Sequence, residues 1–229
     1  MRRMPDNFVD LSITSPPYNI DKNYSGYDDN KENYLDWLSI RLRELSRVSK
    51  SMWVNLGYRK MPVGNIPICF QVAPLLASKS CFLLQHVVWE YGAGMTYKTR
   101  FNHRKEDWLW FVSDKNNYTF NPDSVRDPSL NKYPNDKRNN PLGKLPGDVW
   151  YFPHVAGTFK KRRDHPAMFP EKMIQRIVLA CSNESDLIYD PFMGTGTTAY
   201  IAKENERNWI GSEVSKKYCD IIKKERGLL

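Results

Sequence analysis

The sequence predicts an α/β fold with a mainly parallel sheet, an antiparallel hairpin and a loop-rich basic insertion. Three observations support this fold. Short apolar segments alternate with amphipathic segments on both sides of residues 96–163, as strands alternate with helices in a parallel sheet. The segment 96–163 itself is rich in proline and poor in periodicity. The chain has 229 residues, 41% of them hydrophobic, which is enough for a sizeable core.

Strands and helices alternate through the first half of the predicted fold. Alternating or continuous apolar runs predict strands at residues 8–14, 51–56, 82–90 and 108–113. Apolar side chains at steps of three and four predict helices at residues 32–49 and 67–77. Pro16 and Pro17 end the first strand, because proline cannot continue a sheet ladder. We expect the last two strands to pair as an antiparallel hairpin.

The second half begins with an irregular stretch and then regains its order. Residues 116–164 lose periodicity and are interrupted by prolines at short intervals, which predicts an irregular insertion. Helices are then predicted at residues 170–182, at 197–205 and from 215 onward. Strands are predicted at residues 186–189 and 209–212, each followed directly by an acidic residue.

Positive charge is concentrated in one part of the chain. Lys and Arg total 34 against 26 Asp and Glu, a net charge of +8. Residues 96–163 contain fourteen Lys and Arg against seven Asp and Glu, so this segment carries nearly all of the excess. Aromatic residues are interleaved with these cations at Tyr97, Phe101, Trp108, Tyr118, Phe120, Tyr133, Trp150 and Tyr151. Such a surface suits a polyanion with stackable bases, and a solvated basic face is the alternative.

Composition excludes several classes of protein. No window approaches the roughly 18 consecutive apolar residues of a membrane span, and no apolar core of a signal peptide follows Met1. The four cysteines include no Cys-x-x-Cys pair, so they favour neither a zinc site nor a disulfide framework. We therefore expect a cytoplasmic protein with reduced thiols, no membrane contact and no bound metal.

The first motif is a glycine-containing turn between a predicted strand and a predicted helix, with the sequence Asp190-Pro191-Phe192-Met193-Gly194-Thr195-Gly196-Thr197-Thr198-Ala199. Gly194 and Gly196 allow a tight turn, and the start of the helix offers free N–H groups to a ligand. Glu213, after the next strand, can accept hydrogen bonds from both ribose hydroxyls. The motif predicts an adenosine-binding crevice, and a dinucleotide also fits its loose pattern. A Walker loop is excluded, because no Lys-Ser or Lys-Thr follows the glycines.

The second motif, Ser15-Pro16-Pro17-Tyr18, follows the first predicted strand. The two prolines fix the backbone, which sets the directions of the Ser15 hydroxyl and the Pro16 carbonyl, while Tyr18 presents a flat ring. Such a site can hold a planar amine. For this motif alone, a proline turn with a packing aromatic residue is the alternative.

Taken together, the two motifs resemble the DNA amino-methyltransferases that use S-adenosylmethionine, in the permuted (β-class) order with the catalytic motif first. The resemblance implies a Rossmann-like methyltransferase fold, with a catalytic half at residues 1–95, a target-recognition insertion at 96–163 and a cofactor-binding half at 164–229. It assigns catalysis to Ser15, Pro16, Pro17 and Tyr18. It assigns cofactor binding to His165, Pro166, Ala167, Phe169, Asp190, Pro191, Phe192, Gly194, Thr195, Gly196, Thr197, Thr198 and Glu213.

The chemistry of amine methylation agrees with this resemblance. The lone pair of an exocyclic amine is conjugated with its ring, so acceptors for both N–H groups favour the pyramidal, reactive geometry. Ser15 and the Pro16 carbonyl can be those acceptors, and Tyr18 can stack on a base that has left the duplex. The methyl group then moves by in-line displacement from the sulfonium, with positioning supplying much of the rate.

The target base has two candidates. In the resembling family, Ser at the first tetrad position is commoner among cytosine enzymes, and Asp or Asn is commoner among adenine enzymes. A neutral hydroxyl can also donate to a ring nitrogen beside the amine, although both bases present one. We therefore favour the 4-amino group of cytosine over the 6-amino group of adenine. A catalytically silent nucleic-acid-binding module and an RNA amino-methyltransferase are the further alternatives.

Other reactions on bases lack the residues that they require. Methylation at carbon 5 of cytosine uses a Cys that its own family places after Pro, and the chain has no Pro-Cys pair. Zinc deaminases need His-x-Glu, and none of the four histidines has Glu two residues later. His103 lies among the cations of the insertion, where an ordinary surface position and a contact to DNA both stay open.

The resemblance also implies partners. Double-stranded DNA is the expected substrate, a cognate restriction endonuclease is the expected other half of a restriction-modification system, and a homodimer is the expected assembly. We expect DNA contacts from Arg100, Arg104, Lys105, Lys137, Arg138, Lys144, Lys160, Lys161, Arg162 and Arg163. Related enzymes usually carry a strand before the catalytic one, with an acid near the cofactor adenine. Because the first predicted strand begins at Phe8, either the chain starts late or another part of the molecule or a partner supplies that acid.

Overall fold

The structure is a computed structural model that describes residues 1–20, 32–92, 94, 96–133, 135–155 and 168–228, with only the backbone of Glu225. The strands are Val9–Thr14 (β1), Ser49–Leu56 (β2), Tyr58–Met61 (β3), Gly64–Pro67 (β4), Phe82–Glu90 (β5), Lys105–Val112 (β6), Val149–Tyr151 (β7), Leu187–Asp190 (β8) and Asn208–Gly211 (β9). The helices are Tyr34–Val48 (α1), Ile68–Leu76 (α2), Glu171–Cys181 (α3), Thr197–Glu204 (α4) and Lys216–Arg226 (α5).

One mixed sheet organises the described residues, with the strand order β7-β5-β6-β2-β1-β8-β9. β1 pairs in parallel with β2 and β8, and β8 pairs in parallel with β9, whereas β6 runs antiparallel to β2 and β5. The predicted α/β fold and the predicted hairpin of β5 and β6 are therefore confirmed. The carboxyl ends of β1, β2, β8 and β9 meet at one edge of the sheet, where open α/β folds bind their ligands.

Helices bury both faces of this sheet. Leu38 and Leu42 of α1 pack with residues of α2 on one face, and Met173 and Ile177 of α3 pack on the other. Side chains alternate between the two faces along β6. Leu109 and Phe111 therefore pack in the layer of α1 and α2, and Trp108 and Trp110 pack in the layer of α3. The steps of three and four that predict α1 therefore mark the face that the helix turns to the sheet.

Short strands account for the main differences from the sequence prediction. β3 and β4 form a small antiparallel hairpin after β2, which apolar patterning does not mark. β7 pairs with β5 and extends the central sheet, inside the stretch that was predicted to be irregular. The segment 96–163 thus contributes β6 and β7 to the sheet as well as loops. Strands of three or four residues are too short to show a period, and pairing with a neighbour holds them in place.

The cysteines are free thiols, and three of the four are buried. Burial raises the pKa of Cys69 and of Cys181 to about 12, which keeps both thiols protonated as packing groups. Within the described ranges, no helix is both long enough and apolar enough to cross a membrane.

Candidate active site

A cavity of about 670 Å³ lies at the carboxyl edge of the sheet, a size that suits a small-molecule ligand. Its walls come from the segments that follow β1, β8 and β9 and from one side of α1. The structure therefore brings the two sequence motifs to one place. The predicted residues that line the cavity are Ser15, Pro17, Tyr18, Phe169, Asp190, Pro191, Phe192, Gly194, Thr195, Thr197, Thr198 and Glu213.

Some predicted residues lie elsewhere. Pro16 and Gly196 are described but do not line the cavity. Gly196 instead forms the N-cap of α4 with φ at +77°, a left-handed conformation that favours glycine. His165, Pro166 and Ala167 lie outside the described residues, so their contact with the cofactor stays a prediction.

The cavity also has a wall that sequence reasoning missed. Trp37 of α1 packs against Phe192 with ring centroids 5.8 Å apart, and the Arg41 guanidinium carbon lies 4.4 Å from the centre of the Trp37 ring. The spacing of four residues puts Trp37 and Arg41 on one side of α1, but it does not show that this side faces the cofactor turn. The other lining residues that were not among the predicted site residues are Met168, Met193, Ser212, Val214 and Tyr218.

Asp190 organises the turn after β8. Its buried carboxylate accepts hydrogen bonds from the Thr14 hydroxyl at 2.8 Å, the Phe192 N–H at 3.0 Å and the Thr198 hydroxyl at 2.9 Å. One side chain thus ties β1, the turn and α4 together. Burial raises the pKa of Asp190 to about 6, although these hydrogen bonds favour the ionised form.

We expect Asp190→Asn to remove part of the pH dependence of stability. Between about pH 4 and pH 6 the folded chain holds a proton on Asp190 that the unfolded chain has released, so this group lowers the free energy of unfolding as pH rises. The full effect is at most about 3 kcal/mol, since each tenfold change in proton affinity is worth about 1.4 kcal/mol. Urea unfolding from pH 4 to pH 7 measures it. The parent should lose stability relative to the variant as pH rises, and parallel curves would contradict this role.

Glu213, which lies just after β9, holds the turn that follows β8 through hydrogen bonds to backbone N–H groups. Its Oε2 accepts the Gly194 N–H at 2.7 Å and its Oε1 accepts the Ser215 N–H at 2.7 Å. Gly194 has φ at +53°, so a left-handed residue presents its N–H to this carboxylate. Burial raises the pKa of Glu213, against the effect of its backbone hydrogen bonds. A carboxylate has about four lone-pair sites, so Glu213 can hold the turn and still accept hydrogen bonds from a ribose.

The hydroxyls of the second motif form a directed chain. The Tyr18 hydroxyl lies 2.6 Å from Asn55 Oδ1 and 3.1 Å from Glu106 Oε2, and the Ser15 hydroxyl lies 2.9 Å from the Tyr18 oxygen. The amide oxygen and the carboxylate are acceptors, so the Tyr18 proton points to one of them. The Tyr18 oxygen then accepts the Ser15 proton, which leaves the Ser15 lone pairs for an incoming N–H group.

Backbone and ring contacts hold this motif in place. The Tyr34 hydroxyl donates to the Pro17 carbonyl at 2.8 Å. The Tyr18 ring packs on Gly57, where an added Cβ would lie 2.7 Å from Tyr18 Cε2. Tyr18 is 6% exposed and its hydroxyl bonds inward, so stacking of its ring on a target base stays a prediction. Sequence reasoning missed Asn55, Gly57 and Glu106, for which the available signal was polar or small residues at the ends of apolar strands.

The cations predicted to contact DNA differ in their surroundings. Lys105 is partly buried, and its ammonium lies 2.7 Å from the fully buried Asp107 carboxylate, so it neutralises a charge inside the fold. Arg138 is exposed and pairs with Asp136 at 2.7 Å. Arg100, Lys137 and Lys144 are exposed, and Arg104 is partly exposed. Lys160, Lys161, Arg162 and Arg163 lie outside the described residues.

Comparison with known proteins identifies the family. A family model for N6 and N4 enzymes, described as DNA methylase, matches residues 9–224. The type II methyltransferase M.ScaI of Streptomyces caespitosus is 42% identical over 234 residues, which cover 96% of this chain and 76% of that protein. At this identity and coverage, the similarity extends across both motifs and the segment between them.

Solved structures agree on the fold. The PvuII DNA methyltransferase, named as cytosine-N4-specific, matches with a TM-score of 0.72 at 17% identity and covers 100% of this chain and 89% of that one. The complex of M1.HpyAVI with S-adenosylmethionine (SAM) matches with a TM-score of 0.66 at 23% identity and covers 100% and 91% of the two chains. The predicted Rossmann-like methyltransferase fold is thereby confirmed.

The cavity suits the cofactor of this family. Gly194 has a left-handed backbone and no side chain, Glu213 has lone pairs beyond those that its backbone hydrogen bonds use, and Trp37 and Phe192 present flat apolar surface to the cavity. The chain therefore belongs to the family of DNA methylases and is a DNA amino-methyltransferase that uses S-adenosylmethionine.

Proposed function

We propose that this methyltransferase acts at a specific DNA site on the 4-amino group of a cytosine that has been flipped out of the duplex. The shared cavity carries the proposal, because Ser15 and Tyr18 line the same space as Gly194 and Glu213. A base that remains stacked and paired cannot enter such a cavity, so the target nucleotide has to leave the duplex.

The residues of the tetrad position the amine. Ser15 accepts one N–H group, since its own proton is directed to Tyr18. Pro16 stands between Ser15 and Pro17, which line the cavity, and we assign its carbonyl as the acceptor of the other N–H group. These two hydrogen bonds favour the pyramidal amine, whose lone pair is free to attack. S-adenosylmethionine supplies the activated methyl group. Tyr34 and Gly57 contribute by fixing the turn that carries both acceptors.

The cofactor contacts follow from the position of each lining residue. We assign the ribose hydroxyls to Glu213 and close backbone approach to Gly194 and Thr195. Phe192 and Trp37 form an aromatic wall beside this turn, which we assign to the adenine ring. Phe169 lines the cavity and follows the segment 165–167 closely in sequence. We assign Phe169 and that segment to the methionine end of the cofactor.

The choice of base rests on Ser15. Ser at this position is typical of the cytosine enzymes that the sequence resembles, whereas the orientation of its hydroxyl serves the amine of either base. Digestion of methylated DNA to nucleosides, followed by mass spectrometry, distinguishes the two. We expect 4-methylcytosine. Recovery of 6-methyladenine alone would overturn the cytosine assignment and leave the fold, the cofactor site and the roles of the tetrad intact.

DNA affinity should depend on salt through the cations of the insertion. Each phosphate contact contributes about 0.9 to the slope of log affinity against log salt concentration, so replacing Lys160, Lys161, Arg162 and Arg163 by Gln should flatten that slope. Titration of labelled duplex at several salt concentrations measures it, and cofactor affinity should change little. A slope equal to that of the parent would place the phosphate contacts elsewhere. The same measurement applies to Arg100, Arg104, Lys137, Arg138 and Lys144.

The name of the relative M.ScaI, a type II methyltransferase, supports a proposal about the biological partner. We propose that the chain is the modification half of a restriction-modification system with a cognate endonuclease, and that it works as a homodimer. A plasmid methylated by the enzyme should resist an endonuclease that cuts at the methylated site. Cutting at the rate measured for unmethylated plasmid would contradict this role. Sedimentation with and without duplex tests the dimer.

A further inference from the structure

The loop between β5 and β6 projects from the edge of the sheet that carries the tetrad. β5 runs antiparallel to β6 and β6 antiparallel to β2, so β5 ends and β6 begins beside the carboxyl end of β2. β6 is two strands away from β1, which corresponds to about 10 Å at the usual spacing of 4.8 Å. Glu106 at the start of β6 reaches the Tyr18 hydroxyl, so the loop and the tetrad are joined directly.

Phe101 stands out on this loop because it is 98% exposed. Single exposed apolar residues are common on protein surfaces. Phe101 differs from most of them because several of its neighbours in sequence are cationic. Between Glu90 and Glu106 the sequence carries no acidic residue, and Lys98, Arg100 and Arg104 are exposed or partly exposed there. A fully exposed phenyl ring among cations matches a polyanion that also offers apolar surface, and stacked bases provide that surface.

The loop is braced on both sides of Phe101. The Asn102 side chain accepts a hydrogen bond from the Tyr97 N–H at 2.7 Å, and the Arg100 guanidinium carbon lies 4.0 Å from the centre of the Tyr97 ring. The His103 ring stacks on Tyr58 with centroids 4.3 Å apart. Tyr58 directly follows Gly57, on which the Tyr18 ring packs. The ring of Phe101 is thus held outward by a loop whose base contacts the surroundings of the tetrad.

We infer that Phe101 is a wedge that inserts into the DNA duplex and fills the space left by the flipped base. The inference rests on the proposed base flipping. Phe101 and Glu106 are five positions apart in sequence, so at most about 18 Å of chain joins the wedge to a residue that contacts Tyr18. A phenyl ring in the stack offsets the unstacking that extrusion of a nucleotide requires, as apolar side chains do when they insert between base steps.

Two DNA duplexes test the wedge, and both contain the site that the enzyme methylates. In one the target base is paired, and in the other an abasic position stands opposite it, which lowers the energy needed for flipping. Phe101→Ala should lower kcat/KM on the paired duplex by roughly ten- to a hundredfold, the value of one aromatic stacking contact. On the abasic duplex the loss should shrink to about threefold or less, while Phe101→Trp should retain activity on both.

Matched controls separate the wedge from other roles. Val63 is 83% exposed on the turn between β3 and β4, so Val63→Ala removes exposed apolar surface elsewhere and should leave both rates unchanged. Cofactor affinity should equal that of the parent in every variant. Equal losses for Phe101→Ala on the two duplexes, or no loss on either, would overturn the wedge. A parent enzyme that methylates neither duplex would instead overturn the proposed function.

Discussion

Gly57→Ala is expected to lower kcat for methyl transfer by about a hundredfold, the effect of a misplacement of about 1 Å at a reacting centre. The added Cβ would lie 2.7 Å from Tyr18 Cε2 and 2.8 Å from Tyr18 Cδ2, so the ring has to move. The Tyr18 hydroxyl accepts the Ser15 proton, and a displaced ring therefore turns the Ser15 lone pairs away from the amine. Single-turnover transfer from labelled cofactor measures the step.

A second glycine provides the control for Gly57→Ala. A Cβ on Gly147 would meet nothing within 4 Å, so Gly147→Ala should behave as the parent. Neither Gly57 nor Gly147 is among the residues that line the cavity, and cofactor affinity should therefore change little in both variants. If Gly57→Ala transferred methyl groups at the parental rate, the packing of Tyr18 on Gly57 would not position the tetrad.

Glu213→Ala should weaken cofactor binding by about 1.5 to 3 kcal/mol, the range for a lost charged hydrogen bond, or about 10- to 150-fold in Kd. In the structure the carboxylate anchors the Gly194 and Ser215 N–H groups, and we assign its remaining lone pairs to the ribose. Its removal leaves the turn without that anchor and the ribose without its acceptor. Titration calorimetry with S-adenosylmethionine measures the change.

The matched control for Glu213 is another acid of the same half. Glu204 is exposed at the end of α4, and Glu204→Ala changes the net charge equally without touching the cavity. Glu213→Gln keeps the shape and one acceptor oxygen, so its loss should be intermediate. Parental affinity in Glu213→Ala would contradict the ribose assignment, as would a parent that prefers a nicotinamide dinucleotide.

Periodic elements were the part of the fold that sequence could predict. The repeat in α1 and the apolar runs of β2 and β6 depend on burial in the core, and burial leaves a pattern in the chain. β3, β4 and β7 leave no such pattern, because a strand of three or four residues is held by pairing with a neighbour. Pro62 and Gly64 were the remaining signal for the hairpin of β3 and β4.

Contiguous motifs were likewise the predictable part of the site. Ser15, Tyr18, Asp190 and Glu213 stand in short motifs whose chemistry is local, and the structure brings them to one cavity. The hydrogen bond from Thr14 to Asp190 joins positions 176 residues apart, and Trp37 meets Phe192 across a similar distance in sequence. Such contacts depend on strand order, which one sequence without structure does not reveal.

Transfer of label from S-adenosylmethionine to defined substrates tests the central claim most directly. The parent enzyme, with Ser15→Ala as the inactive control, would be incubated with duplex DNA, with RNA and without substrate, and the products digested to nucleosides. We predict label in duplex DNA alone, on the exocyclic amine of cytosine, and a large loss in the Ser15 variant. Label confined to RNA, label on carbon 5 of cytosine, or no label in any substrate would contradict the assignment of this site to amine methylation in DNA.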